Sequence, residues 1–334
     1  MRPVIIRADG ANGIGLGHIR RCVEIGRVLK ERGAHVPFIS ASNSVVDPIL
    51  AEFKRPMRRI TSEGDAFEYI ASSFPGSVIV LDTPHPYSVP EIERLKHAGC
   101  AVFMMQNDCP GMLASNYAVF PDGHHEPPNG GWGDTVPLVG LDYVIVPQVV
   151  KRLVSAMSAS PFLTAYRQEG HITVVAGASD PWRILPQMAS LFCKLPSYKV
   201  VFLEGQDTDY HDEMVSLCDP GRMASLQFNY YHLFSARTVI TVFGCTAYEL
   251  IYAGRPFLAL GPNARYARYA KTLSQRTHAL NVLGWPCTTD DLRTALLSLM
   301  AFYWDMAAAQ RGLIDGAGAE RIADHILQEA RCGD

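Results

Sequence analysis

The chain has 334 residues, 48% of them hydrophobic and 19% charged, a length that suits about two domains and a composition that excludes disordered or collagen-like polymers. With 33 acidic and 30 basic residues the net charge is −3, so nothing points to nucleic acid as a partner. No apolar run approaches the ~18 residues of a membrane span, no signal peptide opens the chain, and the eight cysteines are scattered without a CxxC pair. The expectation is a soluble cytoplasmic protein with no membrane insertion, no zinc site and no disulfide framework.

Residues 3–7 read as an apolar strand, followed by the glycine-rich turn Gly13-Ile14-Gly15-Leu16-Gly17. From His18 a helix is predicted through Ile19, Cys22, Val23, Gly26 and Leu29, whose three-and-four spacing marks one buried face. Gly33 stands where a residue of positive φ ends such a helix. Strands over 35–39, 78–81 and 101–105 and a helix over 89–97 continue the alternation. The pattern loosens near 144–170, and a second series begins with a strand over 171–175, a turn over 176–181 and a helix to Leu195. Strands over 199–203, 238–242 and 256–260 follow, with a helix over 246–253 and an amphipathic closing helix over 319–330. Strands alternating with helices predict parallel sheets covered on both faces, here two Rossmann-like halves. The expected boundaries are 1–147 for the first domain, 148–170 for a linker and 171–334 for the second, whose last helix could cross back.

Three glycine-bearing turns offer chemistry. The first fits a dinucleotide fingerprint badly, because its glycines are spaced GxGxG and Ser40-Ala41-Ser42-Asn43, with no acid, follows the second strand. A P-loop is absent as well, so no NAD cofactor or NTPase activity is expected. His18 opens the following helix, whose positive end favours a neutral imidazole, the state a general base needs. Asp9, at the end of the first strand, could orient it; the plainer role for His18 is a helix cap or a loop contact. In the second turn, Gly177, Ala178, Ser179 and Asp180 precede Pro181. Ser179 or Asp180 suits an N-cap with Pro181 at the first helical position, or the open amides could carry a diphosphate. In the third, Gly244, Cys245, Thr246, Ala247 and Glu249 either form a capping box from Thr246 to Glu249 or present amides to a phosphate and Glu249 to a ribose. Both turns follow strands, at the carboxyl edge where ligands of such sheets bind, and Asn263 lies near the third. Asp82, His85, Asn107 and Asp108 also follow strand ends. His124-His125-Glu126 lacks metal-ligand spacing, and no metal is expected.

Arg7-Ala8-Asp9 followed by Gly13-Ile14-Gly15-Leu16-Gly17-His18-Ile19-Arg20-Arg21 resembles the opening of the UDP-sugar hydrolases of the pseudaminic acid pathway, the PseG-like family, which reads R-x-D and then IGxGHxxR. The resemblance continues at residues 176–181, 244–256 and 315–321. It departs at Asp82-Thr83-Pro84-His85-Pro86-Tyr87, where the family has Asp-His-Tyr, at Asn107-Asp108, where it has paired aspartates, and at Ala176, where it has glycine. The resemblance implies a GT-B architecture shared with MurG-type glycosyltransferases: two Rossmann-like domains whose parallel sheets face across a cleft, with the nucleotide on the second. It implies His18 as the base that activates water, and Gly15, Gly17, Arg21, Asp82, His85, Tyr87, Asn107 and Asp108 on the sugar side. The expected activity is an inverting nucleotide-sugar hydrolase, the substrate a small-molecule UDP-sugar and no cofactor required. A glycosyltransferase on the same fold, or a non-catalytic nucleotide-sugar-binding protein, are the alternatives.

Overall fold

The computed structural model describes residues 1–10, 14–41, 45–53, 58–60, 62–121, 131–159 and 170–332. The chain divides into two compact units, residues 1–146 with 316–334, and residues 147–315.

The first unit runs β1 (Val4–Ala8), α1 (Gly17–Glu31), β2 (Phe38–Ser40), α2 (Val46–Leu50), β3 (Arg58–Arg59), α3 (Glu63–Ser73), β4 (Val78–Asp82), α4 (Val89–His97), β5 (Ala101–Met105), β6 (Tyr117–Phe120) and β7 (Val136–Val139). Its seven strands lie in the order β3-β2-β1-β4-β5-β6-β7, and every pairing is parallel. The central strands β1, β4 and β5 are buried at every position, as strands covered on both faces must be. α1 ends as the sequence predicts, with Gly33 at φ +84°.

The second unit runs α5 (Gln148–Ser158), β8 (Ile172–Val175), α6 (Ile184–Cys193), β9 (Val200–Glu204), α7 (His211–Leu217), β10 (Met223–Gln227), α8 (Tyr230–Ser235), β11 (Thr238–Val242), α9 (Cys245–Tyr252), β12 (Phe257–Leu260), α10 (Ala264–Thr277), β13 (Asn281–Leu283), α11 (Thr289–Ala301) and α12 (Tyr303–Gln310). Its six parallel strands are ordered β10-β9-β8-β11-β12-β13. One core packs under β8, β9, β11 and β12, with Phe192, Phe202, Ile240 and Leu258 fully buried.

The closing helix α13 (Gly318–Arg331) belongs to the first unit, where its buried stripe Ala319, Ile322, Ala323, Ile326 and Leu327 packs on α1. Two differences from the expected boundaries follow. Residues 148–158 are helical and lie within the second unit instead of a linker, and 316–334 lie within the first. No helix among the described residues is long and apolar enough to cross a membrane.

Candidate functional site

In each sheet the chain reverses its direction of winding between the first strand and the fourth, and such a switch point opens a crevice at the strand carboxyl ends. In the first unit the switch lies between β1 and β4, paired in register from Val4↔Val78 to Ala8↔Asp82. α1 starts just after β1, and no side chain caps its first turn. His18, its second residue, thus stands beside Asp82, the last residue of β4.

The His18 Nδ1 lies 2.7 Å from Asp82 Oδ1, and Asp82 is wholly buried. Arg21, one turn along α1, donates through Nε to Asp82 Oδ2 at 2.5 Å and through Nη2 to Oδ1. Its Nη2 also lies 2.9 Å from His18 Nδ1. A ring nitrogen cannot donate to the carboxylate and accept from the guanidinium at once. An ionised carboxylate only accepts, so a bare Nδ1 at 2.7 Å would repel it, and Nδ1 is the protonated nitrogen. Nε2 is then the basic nitrogen. Burial works to raise the Asp82 pKa, but Arg21 and His18 outweigh it and hold the carboxyl below its ordinary range. The Cys22 thiol, 3.3 Å from Asp82 Oδ2, is driven well up by burial and by that carboxylate.

The carboxylate beside the His18 ring is that of Asp82 and not, as expected, that of Asp9. The Asp9 carboxylate is taken by Arg7, at 2.6 and 2.5 Å, and by the Ala41 amide at 2.8 Å. Burial opposes ionisation of Asp9, yet Arg7 and these bonds hold its pKa low. Arg7, 2% exposed, also binds Glu63 at 2.6 Å. Tyr87 donates to Glu63 Oε1 at 2.8 Å and meets Thr83 Oγ1 at 2.7 Å. Tyr87 is fully buried, which corrects its placement on the sugar side. Asn107 is half-buried, its Nδ2 donating to the Thr83 and His85 carbonyls at 3.0 and 2.7 Å. The half-buried His85 lies 3.1 Å from Glu91, which closes a capping box with Ser88. Asp108 is exposed, Gly15 lies at φ +78° and Gly17 opens α1. Gly13, Ser42 and Asn43, and His124-His125-Glu126, lie outside the described residues.

In the second unit the switch lies between β8 and β11, and both glycine turns flank it. After β8, Gly177 takes φ +96°, a conformation that favours glycine. Asp180 is 2% exposed, and its carboxylate accepts from the Ile184 and Leu185 amides at 2.8 and 3.0 Å and from Tyr210 Oη at 2.7 Å. Burial raises the Asp180 pKa against the pull of those donors. The helix therefore starts at Ile184, with Arg183 as N-cap at φ +50°, and Pro181 precedes it. This corrects the expected start at Pro181: Asp180 anchors the helix from a bulged turn, leaving the backbone of Gly177, Ala178 and Ser179 to line the edge. Gly205 permits that path, since a Cβ there would lie 2.1 Å from the Ala178 carbonyl oxygen.

After β11, α9 starts at Cys245 with Gly244 as N-cap and no side-chain cap. The spacing from Thr246 to Glu249 therefore forms no capping box, because both residues lie inside the helix. Ala247 is buried, and Glu249 accepts instead from Tyr230 Oη at 3.3 Å. After β12, Asn263 caps α10 by accepting from the Tyr266 amide at 3.1 Å. Trp182, in the turn after β8, packs edge-on against Tyr266, ring centroids 5.7 Å apart, so the turns after β8 and β12 meet. Sequence reasoning missed Gly205, Tyr210, Tyr230 and this Trp182–Tyr266 contact, none of which sits in a motif. The charge clamp of Arg21 was readable, since it lies three residues after His18 on one helix face. Among the described residues no group of three or more His, Cys, Asp or Glu is placed to hold a metal ion.

No family model matches the chain, and no curated protein matches it in sequence. Solved structures do. Acinetobacter baumannii MurG covers 98% of this chain and all of its own length, with a TM-score of 0.62 at 15% identity. The UDP co-structure of S. aureus MnaA has a TM-score of 0.67 at 11% identity, covering 98% of this chain and 96% of that one. A Polygonum tinctorium UDP-glucosyltransferase has a TM-score of 0.64 at 12% identity and covers 99% of each chain. With two parallel, doubly wound sheets built as described, these likenesses identify the architecture as GT-B.

Proposed function

We propose that the chain is an enzyme that hydrolyses a nucleotide sugar, with UDP as the nucleotide. The observation that carries this reading is the His18–Asp82 pair at the β1/β4 switch point, with Nδ1 tied and Nε2 assigned to proton abstraction. In this mechanism the second unit binds the diphosphate through the amides of Gly177, Ala178 and Ser179 and of the first turn of α9 at Cys245 and Thr246. Glu249 accepts from the ribose hydroxyls, and Asn263 belongs to the same nucleotide site. His18 Nε2 takes a proton from water, the oxygen attacks the anomeric carbon, and the bond to the diphosphate oxygen breaks with inversion. The helix ends compensate the charge that grows on the leaving group. The UDP in the MnaA co-structure, on the same fold, supports the choice of nucleotide.

The likeness to a UDP-glucosyltransferase favours a second reading, in which the same base deprotonates an acceptor hydroxyl. Incubating the purified protein with a panel of UDP-sugars and no acceptor separates them. Free sugar and UDP in equal amounts support hydrolysis, whereas turnover only with an added hydroxyl acceptor assigns a transferase. Binding without either reaction assigns a non-catalytic nucleotide-sugar-binding protein.

A further inference from the structure

The second unit carries a thiol pair away from its ligand edge. Cys193 is the last residue of α6 and Cys218 the residue that ends α7. Both helices follow neighbouring parallel strands, β8 and β9, so both carboxyl ends lie at the amino edge of the sheet. Cys193 is exposed, and its Sγ points at the Leu217 carbonyl oxygen, 3.6 Å away and one peptide bond from Cys218. Arg222 holds this end together without the thiols. It donates to the Phe192 carbonyl at 3.1 Å and the Cys193 carbonyl at 3.5 Å, and pairs with Asp219 at 3.0 Å. Cys218 is half-buried, and its thiol is pushed up to about 11 by burial first and then by Cys193 and Glu204.

The geometry points to a reversible disulfide between Cys193 and Cys218, formed by exchange with a small disulfide such as oxidised glutathione. The exposed Cys193 thiolate attacks one glutathione sulfur, that S–S bond breaks, and the first glutathione leaves as a thiolate that takes a proton. The Cys218 thiolate then attacks the Cys193 sulfur, forming the internal bond and releasing the second glutathione. Two protein thiols are oxidised, one disulfide is reduced to two thiols, and both protons end on the glutathiones. The order follows from access, since Cys193 is exposed and Cys218 is the more buried. The bond closes a loop through β9 and α7 and so restricts the unfolded chain.

Incubating the full chain with oxidised glutathione, blocking residual thiols and mapping peptides by mass tests this. The expected wild-type product has lost two hydrogens, yields one cross-linked peptide pair joining Cys193 to Cys218, melts several degrees higher and reverts with dithiothreitol. Cys218→Ser is expected to stop with a glutathionyl group on Cys193, and Cys193→Ser to leave Cys218 unmodified. Wild-type protein that stops at glutathionylated Cys193, or that joins either cysteine to another partner, overturns the proposal.

Discussion

At the β1/β4 switch point side chains dominate: His18, Arg21 and Asp82 bind one another within 3 Å, and beside them Arg7 joins Asp9 and Glu63. At the β8/β11 switch point the carboxyl edge is mostly backbone, with no side-chain cap on α9 and the buried carboxyl of Asp180, in the turn after β8, turned inward to hold α6. The same scaffold thus supplies charged groups in one unit and amide donors in the other. Amides suit an anion that must be gripped in every state of a reaction, while a fixed imidazole suits a proton that must move. In the proposed function, chemistry therefore falls to the first edge and binding to the second.

Removing the imidazole tests that division most severely. His18→Ala or His18→Asn is expected to lower turnover by roughly 10²–10⁴-fold, the usual worth of a general base, with UDP affinity by calorimetry nearly unchanged. Loss of UDP binding with turnover preserved would sink the assignment. Asp82→Asn comes next. It keeps the shape but leaves the buried Arg21 guanidinium without its counter-charge, and breaking such a pair costs about 3–5 kcal/mol. Urea denaturation should show that loss, and Asp82→Asn with Arg21→Met should recover part of it. Equal stability of the single and double variants would mean that the pair is not coupled.

On the binding side, Gly205→Ala drives a methyl into the Ala178 carbonyl and must displace the turn after β8. The expected cost is about 1–3 kcal/mol, as for other overpacked sites, with weakened UDP binding and little change in the turnover of bound substrate. An unchanged UDP affinity would remove that turn from the nucleotide site.

Much of this organisation was legible in the sequence, and its failures share a cause. The fully buried strands β1, β4, β5, β8 and β12 announce themselves as apolar runs, whereas the edge strands β7, β10 and β13 do not. β7 carries Pro137 and two exposed positions, and β10 has only Met223 fully buried, so neither leaves a clean period. The glycine turns were visible because backbone needs write themselves into residue type. The partner of His18 was not, since 64 residues separate it from Asp82 and only the β1–β4 pairing brings the two together. Asp9 sits in the more suggestive place by sequence, but Arg7, two residues earlier on the same strand, points to the same face and captures it first.

The smallest expected effect separates the two edges by pH. Asp82 and Asp9 are held below their ordinary range, so the folded chain keeps them ionised more readily than the unfolded chain does. Their contribution is complete above the unfolded carboxyl value of about 3.9 and is lost as pH falls through the folded one. Asp180 is shifted the other way by burial. The folded state holds its proton more tightly, so its contribution is largest below the unfolded value and declines as pH rises through the raised one. Unfolding free energies for wild type and Asp180→Asn between pH 3 and 7 should therefore converge as pH falls if the carboxyl and the amide cap α6 alike when neutral. In the Asp180 series the variant should gain on wild type as pH rises, whereas in the same series for Asp9→Asn the variant should fall behind wild type. If the two series ran parallel, the charge at one edge would be held no differently from the charge at the other, and the contrast between a charged edge and an amide edge would fail.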